Sequence, residues 1–389
     1  MLDDGLLRGA LDRMIERVGG TLDACGSEFP YAADPSTGAW TTTPDGDWSG
    51  GYWVALLWLA HALTGEARFA DAALHATDTM QVHWDRDDMF RGLMFHLAGA
   101  RSWQIARLDR QRELGRRAAR VMVSMYRADL RAIPIGSEVR VRKSRLRVET
   151  STAIDNVYIC LLPVWDAWAE EGDPGYLEVA RAQLETTLRY LVREDGFTWQ
   201  IGEWAEGPER PPRCFNYQSS RDDTCWSRGQ AWAIAGYSLA YEYLRERRWL
   251  EVARRVLRHF FAHSPEDGVP GFDLDLPLPP ATPRDTSAAA IVALALTRLL
   301  DAGVLAADEE PEIVARRDRL VDALVRKYST PTYPGDPRPA GMLLEGCFNF
   351  RDGVDVDNEL IWGDYYLLET LWRLTRRSRG GVVEPAGAR

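Results

Sequence analysis

Gly65-Glu66-Ala67-Arg68-Phe69-Ala70-Asp71-Ala72-Ala73, Gly172-Asp173-Pro174-Gly175-Tyr176-Leu177-Glu178-Val179-Ala180 and Arg247-Arg248-Trp249-Leu250-Glu251-Val252-Ala253 are three versions of one pattern. Each opens on a turn, then sets an aromatic ahead of small or apolar residues and an alanine. Each also follows an apolar helical segment, so the chain doubles back as a helical hairpin, repeated in degenerate form. Outward from these turns, apolar residues recur at helical spacing. Trp53, Leu56, Leu57, Ala60 and Leu63 form one stripe, and Ile159, Leu162, Val164, Trp165 and Trp168 another. Trp232, Ala235, Leu239 and Tyr243 form a third, and Leu360, Tyr365, Leu368, Leu371 and Leu374 a fourth. The pattern predicts helices near 5–19, 50–64, 67–83, 91–107, 112–128, 153–170, 175–194, 226–245, 248–263, 285–301, 311–328 and 358–376.

These helices pair as six hairpins, which close into a ring with the inner helices around a central pocket. The expected fold is all-α, an (α/α)6 barrel or six-hairpin toroid. An open solenoid and a bundle are the alternatives, and the helix count in one chain of 389 residues favours the closed ring. No linker rich in Pro, Gly or Ser divides residues 1–376, which read as a single domain; 377–389 read as a disordered tail. Strand-like alternation is scarce. Its best case is Glu138 to Val148, a hairpin or an exposed arm that carries an Arg-rich run over 140–147. The loops from Thr43 to Trp48, Glu203 to Arg213 and Pro265 to Arg284 are long and rich in Pro, Gly and acids. They are expected on the face where the inner helices begin.

A net charge of -11 argues against nucleic acid as a partner. No apolar run of about 20 residues marks a transmembrane helix. The acidic start, Met1-Leu2-Asp3-Asp4-Gly5, lacks the basic and apolar regions of a signal peptide, so a cytoplasmic location is expected. Cys25, Cys160, Cys214, Cys225 and Cys347 are odd in number and contain no Cys-x-x-Cys, which favours reduced thiols over disulfides or zinc. His259 and His263 have metal-ligand spacing, but Phe260 stands where a metalloprotease carries its acid; no metal is expected. Nothing resembles a P-loop, a dinucleotide fingerprint or a Gly-x-Ser-x-Gly elbow, so no cofactor is implied. Tryptophan is abundant, at 15 copies, which serves core packing and sugar stacking equally well.

Three constellations carry candidate chemistry. In Thr152-Ala153-Ile154-Asp155-Asn156-Val157-Tyr158 an acid stands at the opening of an apolar helix. A helix cap is the plain reading of Asp155. Thr150 to Thr152 offer better caps, which would leave Asp155 in the first turn, aimed into the pocket as a general acid and base. Asp85, Asp87 and Asp88 lie in one charged loop, and Asp88 is favoured as a second carboxylate. In Asp222-Asp223-Thr224-Cys225-Trp226-Ser227-Arg228-Gly229-Gln230-Ala231-Trp232, a glycine sits where it weakens a helix, so a close approach should require it. Arg228 and Trp232 are four apart and share a face. A guanidinium beside an indole suits a sugar carboxylate, although a buried structural arginine would read the same way.

The stretch Trp226 to Ile234, Ile154-Asp155-Asn156 before a helix containing Leu-Leu, Asp285-Thr286-Ser287-Ala288-Ala289-Ala290 and Leu360-Ile361-Trp362-Gly363-Asp364-Tyr365-Tyr366 resemble the unsaturated glucuronyl hydrolases, glycoside hydrolase family 88. The related unsaturated rhamnogalacturonyl hydrolases, family 105, share the barrel and the aspartate pair. The resemblance spans about residues 48 to 376. It implies a small carbohydrate substrate bearing a carboxylate, left by a polysaccharide lyase with a 4,5-unsaturated uronic acid at its non-reducing end. By the same resemblance Asp155 is the general acid and base and Asp88 the second carboxylate. Arg228 and Trp232 hold the uronate, and Gln218, Trp48, Gln200 and Tyr217 are further substrate contacts.

Several positions depart from the family pattern. His-Asp-Leu-Gly-Phe is absent around the second aspartate, and Asp88 stands four residues before Gly92, either of which is a candidate for that place. Gln200 and Tyr217 replace histidines, and no aromatic stands in Ile135-Gly136-Ser137-Glu138. The departures point to the usual chemistry on an unusual substrate, or to a lost activity. An inverting glycosidase, an atypical sugar-modifying enzyme and a non-catalytic sugar-binding barrel are the competing readings. Oligomeric state is not legible.

Overall fold

The computed structural model describes residues 2–139, 146–278 and 281–378. Most of the Arg-rich run, 140–145, lies outside the described residues, as does the expected tail from 379 onward.

Two kinds of helix alternate. In α2 (Gly50–Thr64) every side chain from Gly50 to Ala60 is buried, and α10 (Ser227–Leu244) and α12 (Thr286–Asp301) are buried almost end to end. A helix that is apolar all round must be enclosed by others. These form an inner ring with α4–α5 (Arg91–His96 and Ser102–Ala106), α7–α8 (Asn156–Ile159 and Leu161–Glu171) and α14 (Ile361–Ser378). Each inner helix touches the next in chain order, and α14 closes the ring against α2.

The second kind buries one stripe. In α11 (Arg247–Ala262) that stripe is Trp249, Leu250, Val252, Ala253, Val256, Leu257 and Phe260. With α1 (Asp4–Cys25), α3 (Ala67–Thr79), α6 (Asp109–Met125), α9 (Pro174–Leu191) and α13 (Glu310–Lys327), it makes the outer ring. Outer α1 lies on both α14 and α2. A buried clasp, Arg17 Nε to Glu359 Oε1 at 2.9 Å, ties it to the segment that leads into α14. This is the (α/α)6 barrel that the hairpin repeat predicts.

Four local expectations need correction. The helix expected over 91–107 is interrupted by a π turn at Leu97–Arg101. The one expected over 153–170 begins at Asn156 and breaks at Cys160. The last helix runs to Ser378, past the start expected for the tail. Strands exist where none was read, as two three-stranded antiparallel sheets. One is β2 (Trp40–Thr43), β1 (Phe29–Ala33) and β6 (Glu359–Leu360); the other is β3 (Ser151–Ala153), β4 (Ile201–Glu203) and β5 (Arg213–Phe215). The described ends of the Glu138–Val148 segment belong to neither sheet.

The sheets cap the end of the barrel where the inner helices start. Register Ala153↔Ile201 and Ile201↔Phe215 sets Asp155, Gln200 and Tyr217-Gln218 around one rim. Trp48, Asp88, Trp226 and Asp285 each stand just ahead of an inner helix. The loop from Pro265 reaches the same rim, where Asp273 bridges Trp226. Among the described residues no helix is long and apolar enough to cross a membrane.

Candidate active site

At this end lies a cavity of about 270 Å³ lined by all eight residues singled out in the sequence: Asp155, Asp88, Arg228, Trp232, Gln218, Trp48, Gln200 and Tyr217.

Asp155 is 5% exposed and immediately precedes α7. Its side chain does not cap that helix, although its carbonyl accepts from Tyr158 N and Ile159 N at 2.9 Å. The expected caps, Thr150 to Thr152, do not serve either: Thr152 lies in β3 and donates its hydroxyl to Ile133 O at 2.9 Å. The strand therefore delivers Asp155 to the cavity wall. Burial pushes its carboxyl up to about 7, opposed by a backbone amide and by the Arg228 charge.

Asp88 precedes α4 and is also buried. Its Oδ1 accepts from Phe90 N at 2.8 Å, and its Oδ2 lies 3.7 Å from Arg86. Burial raises its carboxyl, with Asp47 adding to the effect and the Phe90 amide, Arg86 and Arg91 opposing it. Gly92 does not line the cavity. A Cβ there would stand 2.7 Å from Ile159 O, so this glycine serves the crossing of α4 with α7. Asp87 is spent on the loop, accepting from Ser137 N and Oγ at 2.8 Å each.

Arg228 differs from the clamp expected of it. Its Nη1 donates to Asp285 Oδ2 at 2.6 Å and to Cys347 O at 2.7 Å, and its Nη2 donates to Phe348 O at 2.6 Å. The indole beneath it is Trp226, 4.8 Å away, and not Trp232. Trp232 stacks on Tyr158 instead, with ring centres 5.5 Å apart. The close approach that Gly229 allows is to Trp226, whose Cε3 a Cβ would meet at 2.8 Å.

The polar rim is a closed pair. Gln200 Nε2 donates to Gln218 Oε1 at 2.7 Å, while Gln218 N donates to Gln200 Oε1 at 2.8 Å. Gln200 O also accepts from Ile154 N at 2.8 Å, fixing the residue before Asp155. Trp48 donates to Tyr31 OH at 3.2 Å and stacks on Phe348 at 5.9 Å.

Sequence reasoning missed the role of Asp285, the partner of Arg228. Its motif was visible, but the pair is 57 residues apart. Phe348, Asn349 and Asp352 also line the cavity, as do Phe90, Ile135, Val139 and Leu146. His259 on outer α11 and His263 just past its end lie away from it, their rings stacked 4.1 Å apart.

A six-hairpin toroid with two acids sunk among indoles groups with the barrel enzymes that act on carbohydrates. The chain is 31% identical over 364 residues to the unsaturated glucuronyl hydrolase of Bacillus sp. (strain GL1), which covers 91% of this chain and 93% of that one. It is 25% identical over 375 residues to the unsaturated chondroitin disaccharide hydrolase of Streptococcus pyogenes serotype M1, covering 94% and 90%. The crystal structure of the Bacillus sp. GL1 enzyme, responsible for the degradation of glycosaminoglycan, is similar at a TM-score of 0.86, with 29% identity over 98% of each chain. No protein-family model matches the chain. The chain belongs to the unsaturated glucuronyl hydrolase family.

Proposed function

We propose that the cavity hydrates the 4,5 double bond of an unsaturated uronyl saccharide or glycoside and so releases the aglycone. The observation that carries this reading is the buried Asp155 carboxyl on the cavity wall, which holds a proton near neutral pH. Protonated Asp155 delivers its proton to C4, and positive charge develops at C5 and the ring oxygen. Water adds at C5 and returns a proton to the Asp155 carboxylate. The resulting hemiketal opens to a C5 ketone, and C1 sheds the aglycone as an alcohol. The anomeric carbon is never attacked directly, unlike ordinary glycosidase chemistry. The steps draw only on substrate and water.

In this proposal Asp88 holds sugar hydroxyls and stabilises the developing charge. Arg228 attracts the uronate carboxylate, with three of its five N–H donors committed to Asp285 and two carbonyls. Trp48, Trp232 and Tyr217 wall the sugar, and Gln200 and Gln218 supply hydrogen bonds. We take residues 1–376 as one catalytic domain, working in the cytoplasm; the five unpaired cysteines support a reducing compartment.

The test is a panel of lyase-generated unsaturated disaccharides followed by ultraviolet absorbance. Loss of the absorbance, abolished in Asp155→Asn, is the expected result. No loss across glucuronate, galacturonate and sulfated members overturns the reading.

A further inference from the structure

We infer that Arg86 is a positioning residue for Asp88: from behind the cavity wall it orients that carboxyl and keeps it negative, while a neutral His83 holds Arg86 in place. The inference rests on the hydration reading, in which Asp88 stabilises positive charge at C5 and the ring oxygen.

The first observation is the place of the guanidinium. Arg86 stands two residues before Asp88 and does not line the cavity. Its Nη2 lies 3.7 Å from Asp88 Oδ2, while Asp88 Oδ1 accepts from Phe90 N at 2.8 Å. One oxygen of the carboxyl is thus fixed by the backbone and the other faces the cation. Arg91 is also near, but its guanidinium turns to carbonyls, Nε donating to Asp88 O at 3.2 Å and Nη1 to Trp84 O at 2.6 Å.

The second observation is how Arg86 is held. Its Nη1 lies 3.0 Å from His83 Nδ1, and its Nη2 donates to Glu138 O at 3.0 Å. A guanidinium carries only donors, so His83 Nδ1 must be the acceptor. The ring proton then sits on Nε2, which donates to Asp45 O at 2.9 Å. That form of the imidazole is neutral, and the buried ring is locked in it from both sides. Glu138 competes for the cation, with Oε2 3.7 Å from Arg86 Nε, but its side chain is 51% exposed. Water screens that pair, whereas the same charge weighs more on buried Asp88.

The third observation is charge. The other titratable groups around Asp88 are Asp87 beside it, Asp47 ahead of α2 and Cys160 after α7, and Asp155 shares the cavity. Burial and Asp47 push the Asp88 carboxyl up, and the Phe90 amide, Arg86 and Arg91 hold it down. Asp155 answers to burial, a backbone amide and Arg228, with no part for Arg86. Arg86 therefore acts on one acid of the pair and leaves the other to carry its proton.

The experiment measures kcat and KM against pH on an unsaturated disaccharide for the wild type, Arg86→Gln and Arg86→Lys. Without the cation Asp88 takes up its proton at higher pH, so the acid limb in Arg86→Gln should rise by about one pH unit. The alkaline limb, set by Asp155, should stay where it is. At the acid end kcat should fall about tenfold while KM changes less than about twofold, because a protonated carboxyl still bonds sugar hydroxyls but no longer stabilises positive charge. Arg86→Lys keeps the charge and should recover most of the acid tolerance. Arg86→Met, neutral and similar in its stem, takes the place of the glutamine variant if that one does not fold. An unmoved acid limb in the neutral variant, or a loss equal at every pH that lysine does not recover, overturns this inference and leaves the hydration reading standing. No turnover of any unsaturated disaccharide by the wild type removes the hydration reading, and this inference with it.

Discussion

Asp155 titrates near pH 7 because burial disfavours its charge. The donor form is the protonated one. We therefore expect kcat/KM to hold at mildly acid pH and to fall about tenfold per pH unit well above 7. A pH profile on an unsaturated saccharide checks this. Asp155→Asn should cut turnover by about a thousandfold or more. The same substitution should also raise the melting temperature at neutral pH. The folded-state pKa lies above the ordinary range of an aspartate, so the unfolded chain ionises first as pH rises. The stability this group costs is absent below about pH 4, grows toward 7 and then levels, at a few kcal/mol at most. Melting curves of the two proteins should converge near pH 4 and separate at pH 7. Asp285 acts one step removed, through Arg228. Asp285→Asn leaves a buried cation uncompensated, which costs on the order of 3–5 kcal/mol. It also lowers the Asp155 pKa, so the alkaline limb of the profile should move to lower pH.

Elements were legible in proportion to how local their causes are. Helices such as α2 and α10 announce themselves by apolar residues at helical spacing, and the turns at Gly65, Gly172 and Arg245 mark where such helices stop. The strands have two to five residues, too short for a period to betray them, and the pairings of β1 with β6 and β3 with β4 cross long stretches of chain. At the site, Asp155 could be read from its motif, and Asp88 from a charged loop ahead of a helix, without the family motif around it. The commitment of Arg228 could not, because Asp285 and the Cys347 and Phe348 carbonyls reach it only through tertiary folding. Gly229 is the intermediate case: its helix position advertised a close contact, while the identity of that contact, Trp226, needed the fold. Gly229→Ala should push the Trp226 ring from its place under Arg228 and cost about 1–3 kcal/mol. Chemical denaturation would measure the loss, with a rise in KM following if the guanidinium shifts.

At the scale of the molecule, the ring depends on its two ends. α14 seals against α2 while α1 lies over both, and Arg17 with Glu359 forms the buried clasp. Arg17→Ala strands the Glu359 charge and should cost about 3–5 kcal/mol, lowering the thermal transition of the whole barrel and not of one hairpin alone. Calorimetry would separate a single shifted transition from a split one. The closure also governs how the protein is made. Synthesis runs from α1 to α14 at about 5–20 residues per second, so a chain of this length spends on the order of tens of seconds as an incomplete arc. Throughout that time the flank of α2 that α14 will cover stays open, and neither the cavity nor its proton donor is enclosed. Burial is what tunes Asp155, and Phe348, Asn349 and Asp352 of its cavity wall are made late, so the nascent enzyme completes the pocket around its acid only near the end of synthesis.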